Sequence, residues 1–144
     1  VVMVGFNLVN PSARERVLAV TQARGIATLG MFAVRRGLID EDRLHLLLQR
    51  LVAMGEVDPG LLVSDDLLES LGLKGVCESL SEAAYRFAAY EPGLDCTLIG
   101  TGSAEHLRQN LHAIVRGPLP ERAMNRLATL FGKIDSVSAQ LQES

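Results

Sequence analysis

Three short apolar runs, each followed by a helical pattern, limit what this chain can fold into more than any other feature. VVMVGFNL at the start, IATLGMFAV at Ile26–Val34 and CTLI at Cys96–Ile99 are separated by glycine, proline and asparagine turns. Continuous apolar runs of this length read as strands buried on both faces, the pattern of a parallel sheet covered by helices. Parallel strands need a crossover, and the first two runs enclose one. Asn10-Pro11-Ser12 turns the chain, Ser12 and Glu15 spell a capping box, Val17, Leu18 and Thr21 supply a buried stripe, and Arg24-Gly25 closes the helix.

After the second run, Arg35-Arg36-Gly37 forms a loop, and Asp40 is placed to cap a helix over Glu41–Met54 with Leu44, Leu47, Leu48 and Leu51 on one face. Glu56–Gly75, broken by Pro59, Gly60, Gly72 and Gly75, reads as a loop or lid with a short helix near Asp66–Leu71. Residues 39–75 together make a helical insertion. Ser79 and Glu82 spell a second capping box, for a helix burying Leu80, Ala83, Ala84 and Phe87 that stops at Pro92-Gly93. Beyond the third run, Ser103 caps a helix with Ala104, Leu107, Leu111, Ile114 and Val115 expected inward. Glu121–Phe131 forms a last helix on Met124, Leu127, Ala128 and Phe131, before a tail at 136–144.

Three strands are few for a sheet covered on both sides. The first run also starts at Val1 without any preamble, so Val1 is expected to be a truncation point with more chain before it in a parent protein. A (β/α)8 barrel, which needs about 250 residues, is one candidate parent. The 144 residues are read as a single unit. Its net charge of −3, from 17 acidic and 14 basic residues mixed along the chain, offers no basic footprint for nucleic acid or a membrane surface. Cys77 and Cys96 show neither metal spacing nor a disulfide framework, which suits a cytoplasmic location, and His45, His106 and His112 pair with no Cys or Glu at metal spacing.

Chemistry concentrates in Asp95–Asn110, DCTLIGTGSAEHLRQN: a strand, a glycine turn and a helix start. The first amides of a helix have no partner in it and carry the positive end of its dipole, so Gly100-Thr101-Gly102-Ser103 is suited to phosphate. A second reading gives the glycines only a tight turn and Ser103 only a cap. The stretch is not GxGxxG, because Glu105 holds the last position. Arg35 and Arg36 follow the second strand at the end where parallel sheets bind ligands, so they are either pyrophosphate contacts or ordinary surface arginines.

EPGLDCTLIGTGSAEHLRQNL resembles the last strand and following helix of the aldo/keto reductase family. GFNLVNPSARERVL and GIATLGMFAVRRGL resemble its sixth and seventh barrel strands, and EAAYRFAAYEPG resembles the helix before the eighth. The resemblance implies an α/β fold that is the C-terminal portion of a (β/α)8 barrel, and NADP or NAD bound across the strand ends. It also implies hydride transfer between nicotinamide and a small carbonyl or alcohol substrate. By position it assigns Gly100, Thr101, Gly102 and Ser103 to the adenosine phosphates and Gln109 and Asn110 to adenine. His106 falls near the ribose 2′-phosphate, where many members carry Arg or Gln, or is an exposed helix residue.

The family's catalytic Tyr, Lys, Asp and His lie on its first four strands, so none is expected here and the chain alone is expected to be inactive. Met3 stands where a Gln often holds the carboxamide, and Met31-Phe32-Ala33-Val34 replaces Tyr-Ser-Pro-Leu, leaving Phe32 as the candidate to stack on nicotinamide. Met3 and Met31 read equally well as core methionines. An isolated three-stranded piece with open edges is expected to self-associate. The alternative from another class is a noncatalytic α/β module for assembly or regulation, in which the glycine turn is structural.

Overall fold

The structure is a computed structural model in which residues 1–137 are described. β1 (Val2–Gly5), β2 (Thr28–Met31) and β3 (Cys96–Thr97) lie side by side in that order and run parallel. Val2 pairs with Thr28 and Gly5 with Met31, while Leu29 pairs with Cys96 and Gly30 with Thr97. The expected parallel α/β layout is present, on strands shorter than the apolar runs.

Side chains set the strand limits. After β1, Asn7 Oδ1 accepts from the amides of Val9 (3.1 Å) and Asn10 (3.0 Å), turning the chain while Phe6, Leu8 and Val9 stay buried. β2 ends where Phe32 adopts φ 66°, a left-handed backbone that no strand can continue. The entry to β3 is clamped by Thr28, whose amide donates to Asp95 Oδ2 (2.7 Å) and whose hydroxyl donates to Gly93 O (2.6 Å). Gly30 lets Leu94 close over the sheet, since a Cβ there would stand 2.6 Å from Leu94 Cδ2.

The first crossover helix departs from the capping box expected of Ser12 and Glu15. The amide and hydroxyl of Ser12 both donate to Asn10 Oδ1, at 3.1 and 2.7 Å, and the helix opens at Ala13 without a side-chain cap. Asn10 engages the backbone two residues on, the local bond this side chain makes readily, and Ser12 is drawn into that turn. A π-helical segment, Arg14–Leu18, then leads into α1 (Ala19–Ala23). Arg14 makes a two-pronged pair with the buried Glu91 (2.5 and 2.7 Å), which raises the Arg14 pKa mainly through that hydrogen bond. Its guanidinium lies near the rings of Phe6 and Phe87, which stack 5.3 Å apart.

The most deeply buried helix is α4 (Leu80–Ala89), where Leu80, Ala83, Ala84, Phe87 and Ala88 are buried. Its predicted capping box is present in modified form. Ser79 Oγ accepts from Glu82 N (3.1 Å), and Glu82 Oε2 accepts from Glu78 N (2.9 Å). α2 (Glu41–Ala53) is capped by Asp40 and buries Leu44, Leu47, Leu48 and Leu51 as expected. The 56–75 stretch carries α3 (Leu67–Ser70), capped by Asp66, and places Leu67, Leu71 and Leu73 in the core. Arg126 on α6 (Glu121–Phe131) ties that stretch down by donating to Ser70 O (3.0 Å) and to Leu61 O.

Two helices turn faces other than those expected. α6 buries Ala123, Leu127, Leu130 and Phe131, with Met124 only partly covered and Ala128 exposed, because the inward stripe is rotated by about one residue. On α5 (Ala104–Val115) the buried residue is Ala113; Leu107, Leu111 and Val115 remain 42%, 50% and 74% exposed. The helix lies against α4, and its leucine stripe faces away from the described core. Of the tail, Ser136 donates to Glu56 Oε2 (2.6 Å) and Val137 O accepts from Asn10 Nδ2 (2.6 Å); 138–144 lie outside the described residues.

Candidate functional site

The turn from β3 into α5 is exposed and polar. Ser103, extended at φ −111°, caps the helix by accepting from His106 N (3.3 Å), and the Ser103 amide donates to Thr101 Oγ1 (3.1 Å). That leaves Ala104 and Glu105 as the first-turn amides without an intrahelical acceptor, at the positive end of the dipole. Neither Gly100 nor Gly102 is among the positive-φ residues, and no atom lies within 4 Å of where a Cβ would stand on either. The usual reason for glycine, a backbone that other residues resist, does not apply to them. What they provide is open space beside bare backbone.

A cavity of about 320 Å³ opens next to this turn. Gly100, Thr101, His106, Gln109 and Asn110 form one wall, Val34 and Ile39 from the segment after β2 another, and Ser79, Ser81 and Tyr85 from the start of α4 the floor. The volume is at the lower end for small-molecule sites, enough for a nucleoside end and too little for a whole dinucleotide. The Tyr85 phenol, whose pKa burial raises, accepts from Asn110 Nδ2 at 3.4 Å. Five of the ten residues named from sequence therefore share one cavity. Gly102 and Ser103 are next to it in the chain but outside its lining, as are Phe32, Arg35 and Arg36.

Tyr85, Ser79, Ser81, Val34 and Ile39 were not named as site residues from the sequence. They sit on two other segments, and only packing brings them to the glycine turn. The one signal present was composition: Tyr85 is a phenol on the inner side of a helix whose other buried uncharged residues are alanine, leucine and phenylalanine.

At the end of β2, Phe32 is 44% exposed, and the Arg35 guanidinium carbon lies 3.7 Å from its ring centroid. A bulky residue at positive φ costs of order 1–3 kcal/mol and persists where surrounding structure imposes it. The Phe32 ring lies beside Gly5, where a Cβ would stand in ordinary contact, 3.4 Å from Phe32 Cδ2. Arg36 is exposed at the start of a 3-10 turn, Arg36–Leu38. Met3, 53% exposed, is not a core methionine in this chain, and Met31 is half-buried.

The residue types needed for acid-base work are engaged elsewhere. Lys74 pairs with Asp66 (3.1 Å) and Glu69 (3.3 Å), and the Tyr90 hydroxyl donates to Ile114 O (2.9 Å). Among the described residues no cluster of His, Cys, Asp and Glu could hold a metal ion, and no helix is long and apolar enough to cross a membrane.

Known proteins resemble the chain in both sequence and fold. Two solved structures of the aldo-keto reductase AKR11C1 from Bacillus halodurans, the holo and apo forms, superpose with a TM-score of 0.60 at 14% identity. Each match covers 95% of this chain but only 44% and 45% of the other, so the chain spans less than half the length of these structures. At that identity the likeness concerns the fold, a three-stranded parallel α/β unit matching part of the larger one. No curated protein matches. The sequence pattern of the aldo/keto reductase family, however, matches residues 1–131, nearly the whole chain, and the protein therefore belongs to that family.

Proposed function

We propose that this chain is the C-terminal, cofactor-binding part of an NADP- or NAD-dependent aldo/keto reductase-like oxidoreductase, with β1, β2 and β3 as barrel strands six, seven and eight. The observation that carries the reading is the pair of glycines at the α5 start. Gly100 and Gly102 are required neither by their backbone angles nor by packing, and Gly100 lines a cavity whose other residues suit an adenosine, with Gly102 two residues on. In this reading the backbone from Gly100 to Glu105 binds phosphate, with Ser103 fixing the first turn. Gln109 and Asn110 face the adenine, and Val34 and Ile39 supply an apolar wall. When bound, the nicotinamide cofactor supplies the hydride. This chain's own residues hold the adenosine end.

His106 is exposed at the cavity wall, the position this reading places beside a ribose 2′-phosphate. Arg35 and Phe32, stacked at the end of β2, present a charge and an aromatic edge toward the pyrophosphate and nicotinamide. The small carbonyl or alcohol substrate and the catalytic acid belong to the intact protein, which on this reading works in the cytoplasm. The chain by itself carries no turnover.

Leu98, Leu107, Leu111 and Val115 are exposed along β3 and α5 beside an open sheet edge, which supports self-association of the isolated chain. This is also the observation that favours the second reading, a noncatalytic assembly module. Calorimetric titration of the folded chain with NADPH, NADH and 2′,5′-ADP separates the two. Saturable one-site binding of 2′,5′-ADP is expected, while no heat with any of the three would overturn the cofactor reading.

A further inference from the structure

α5 carries most of the proposed nucleotide contacts, yet apolar burial does little to hold it. Ala113 is its one buried residue, Ile114 packs partly against the core, and its leucines face outward. Polar ties concentrate at its far end. Arg86 on α4, only 6% exposed, donates through Nε to Gly117 O (2.8 Å) and through Nη2 to Pro118 O (3.0 Å), the two carbonyls just past the helix. Its Nη1 donates to Glu82 Oε1 (2.8 Å) and Val76 O (2.9 Å). Glu82 in turn accepts from Arg116 (3.2 Å), which also reaches Glu78 (3.0 Å). A buried guanidinium with a carboxylate and three carbonyl acceptors is a satisfied group, so it acts as a rigid clamp rather than a stray charge.

We propose that Arg86 is the positioning residue of the nucleotide cavity, setting the angle at which α5 leaves α4 and hence where the glycine turn and Asn110 stand. The inference rests on the adenosine reading above. Its lever is geometric. α5 is about 18 Å long, so a tilt of about 5° around the clamped end moves the first turn by about 1.5 Å, enough to break hydrogen bonds made there. Near the mouth, the cavity residues of α5 have a single side-chain tie to α4, the 3.4 Å contact of Asn110 with Tyr85. Lysine keeps the charge but cannot span four acceptors with one ammonium.

The test compares R86K with R126K, since Arg126 also donates to two backbone carbonyls but lies away from the cavity. Affinity for 2′,5′-ADP is measured by calorimetry well below both melting temperatures. Both variants are expected to melt earlier. R86K is expected to bind about tenfold more weakly, the scale of one misplaced charge-assisted contact, and R126K is expected to bind as the unaltered chain does. Binding by R86K within twofold of the unaltered chain, or equal weakening in both variants, would overturn the inference alone. No binding by the unaltered chain would overturn the adenosine reading with it. If R86K does not fold, R116Q, which releases the same end from Glu78 and Glu82, should weaken binding about threefold, and unchanged affinity would overturn the proposal.

Discussion

α4 and α5 are neighbouring helices of similar amphipathic sequence, and the structure treats them in opposite ways. α4 buries eight of its ten residues, including the charged Glu82 and Arg86, whereas α5 buries one of twelve. α4 is therefore framework and α5 is a mounted part, held by polar ties at one end and presenting its other end to a cavity. Elements that meet ligands are commonly drawn from the less stable share of a fold, and this contrast gives that tendency named residues.

The contrast breaks most directly at the core. Phe87→Ala removes a ring stacked on Phe6 and should destabilise by about 3–5 kcal/mol, while Leu111→Ala on α5 should cost under about 0.5 kcal/mol, as read by denaturant unfolding. Comparable losses would mean that the α5 stripe is covered after all. A smaller effect is expected at the cap. Ser103→Ala should cost about 1 kcal/mol of stability and also weaken 2′,5′-ADP binding, whereas Asp66→Ala, at the α3 cap away from the cavity, should cost a similar amount and leave binding alone.

The two cysteines sharpen the same boundary. Burial pushes the Cys77 thiol up to about 11, next to the Arg86 clamp, and Cys96 is exposed on β3. At pH 8 one thiol should react quickly with a disulfide reagent and the other only on the timescale of local opening. Two fast thiols would place the α4 clamp in a loose region. The smallest effect is electrostatic. Asp66, which caps α3, has its pKa lowered below 3.8, first by its Lys74 partner and then by the Glu69 amide. A depressed carboxylate pKa favours the folded state above the unfolded value, so this contribution is complete above about pH 5 and fades as pH falls through the folded pKa. Asp66→Asn should lower stability slightly at neutral pH, leave it unchanged at low pH where the carboxyl is protonated anyway, and so flatten the acid limb of the profile.

Much of this was legible in the sequence. Apolar runs and crossover spacing located the three parallel strands, and Asp40, Ser79 and Ser103 cap helices as their positions suggest. Ser12 misled because Asn10, two residues earlier, competes for the same turn. The α5 stripe misled for a deeper reason. A period of 3.6 shows that a helix has an apolar face, but whether anything covers that face depends on partners distant in sequence. The site divides likewise. The glycine turn and Asn110 could be named from one stretch, but Tyr85, Val34 and Ile39 join it only through packing.

The central claim is that open backbone at Gly100–Glu105 takes the phosphates of an adenine nucleotide. Amide chemical shifts of the isotope-labelled chain during titration with 2′,5′-ADP test it directly. The account predicts that the largest changes fall on Gly100, Thr101, Gly102, Ala104 and Glu105, with smaller ones at Gln109 and Asn110. Saturating shifts confined to residues outside the cavity, or none in the glycine turn, would contradict it.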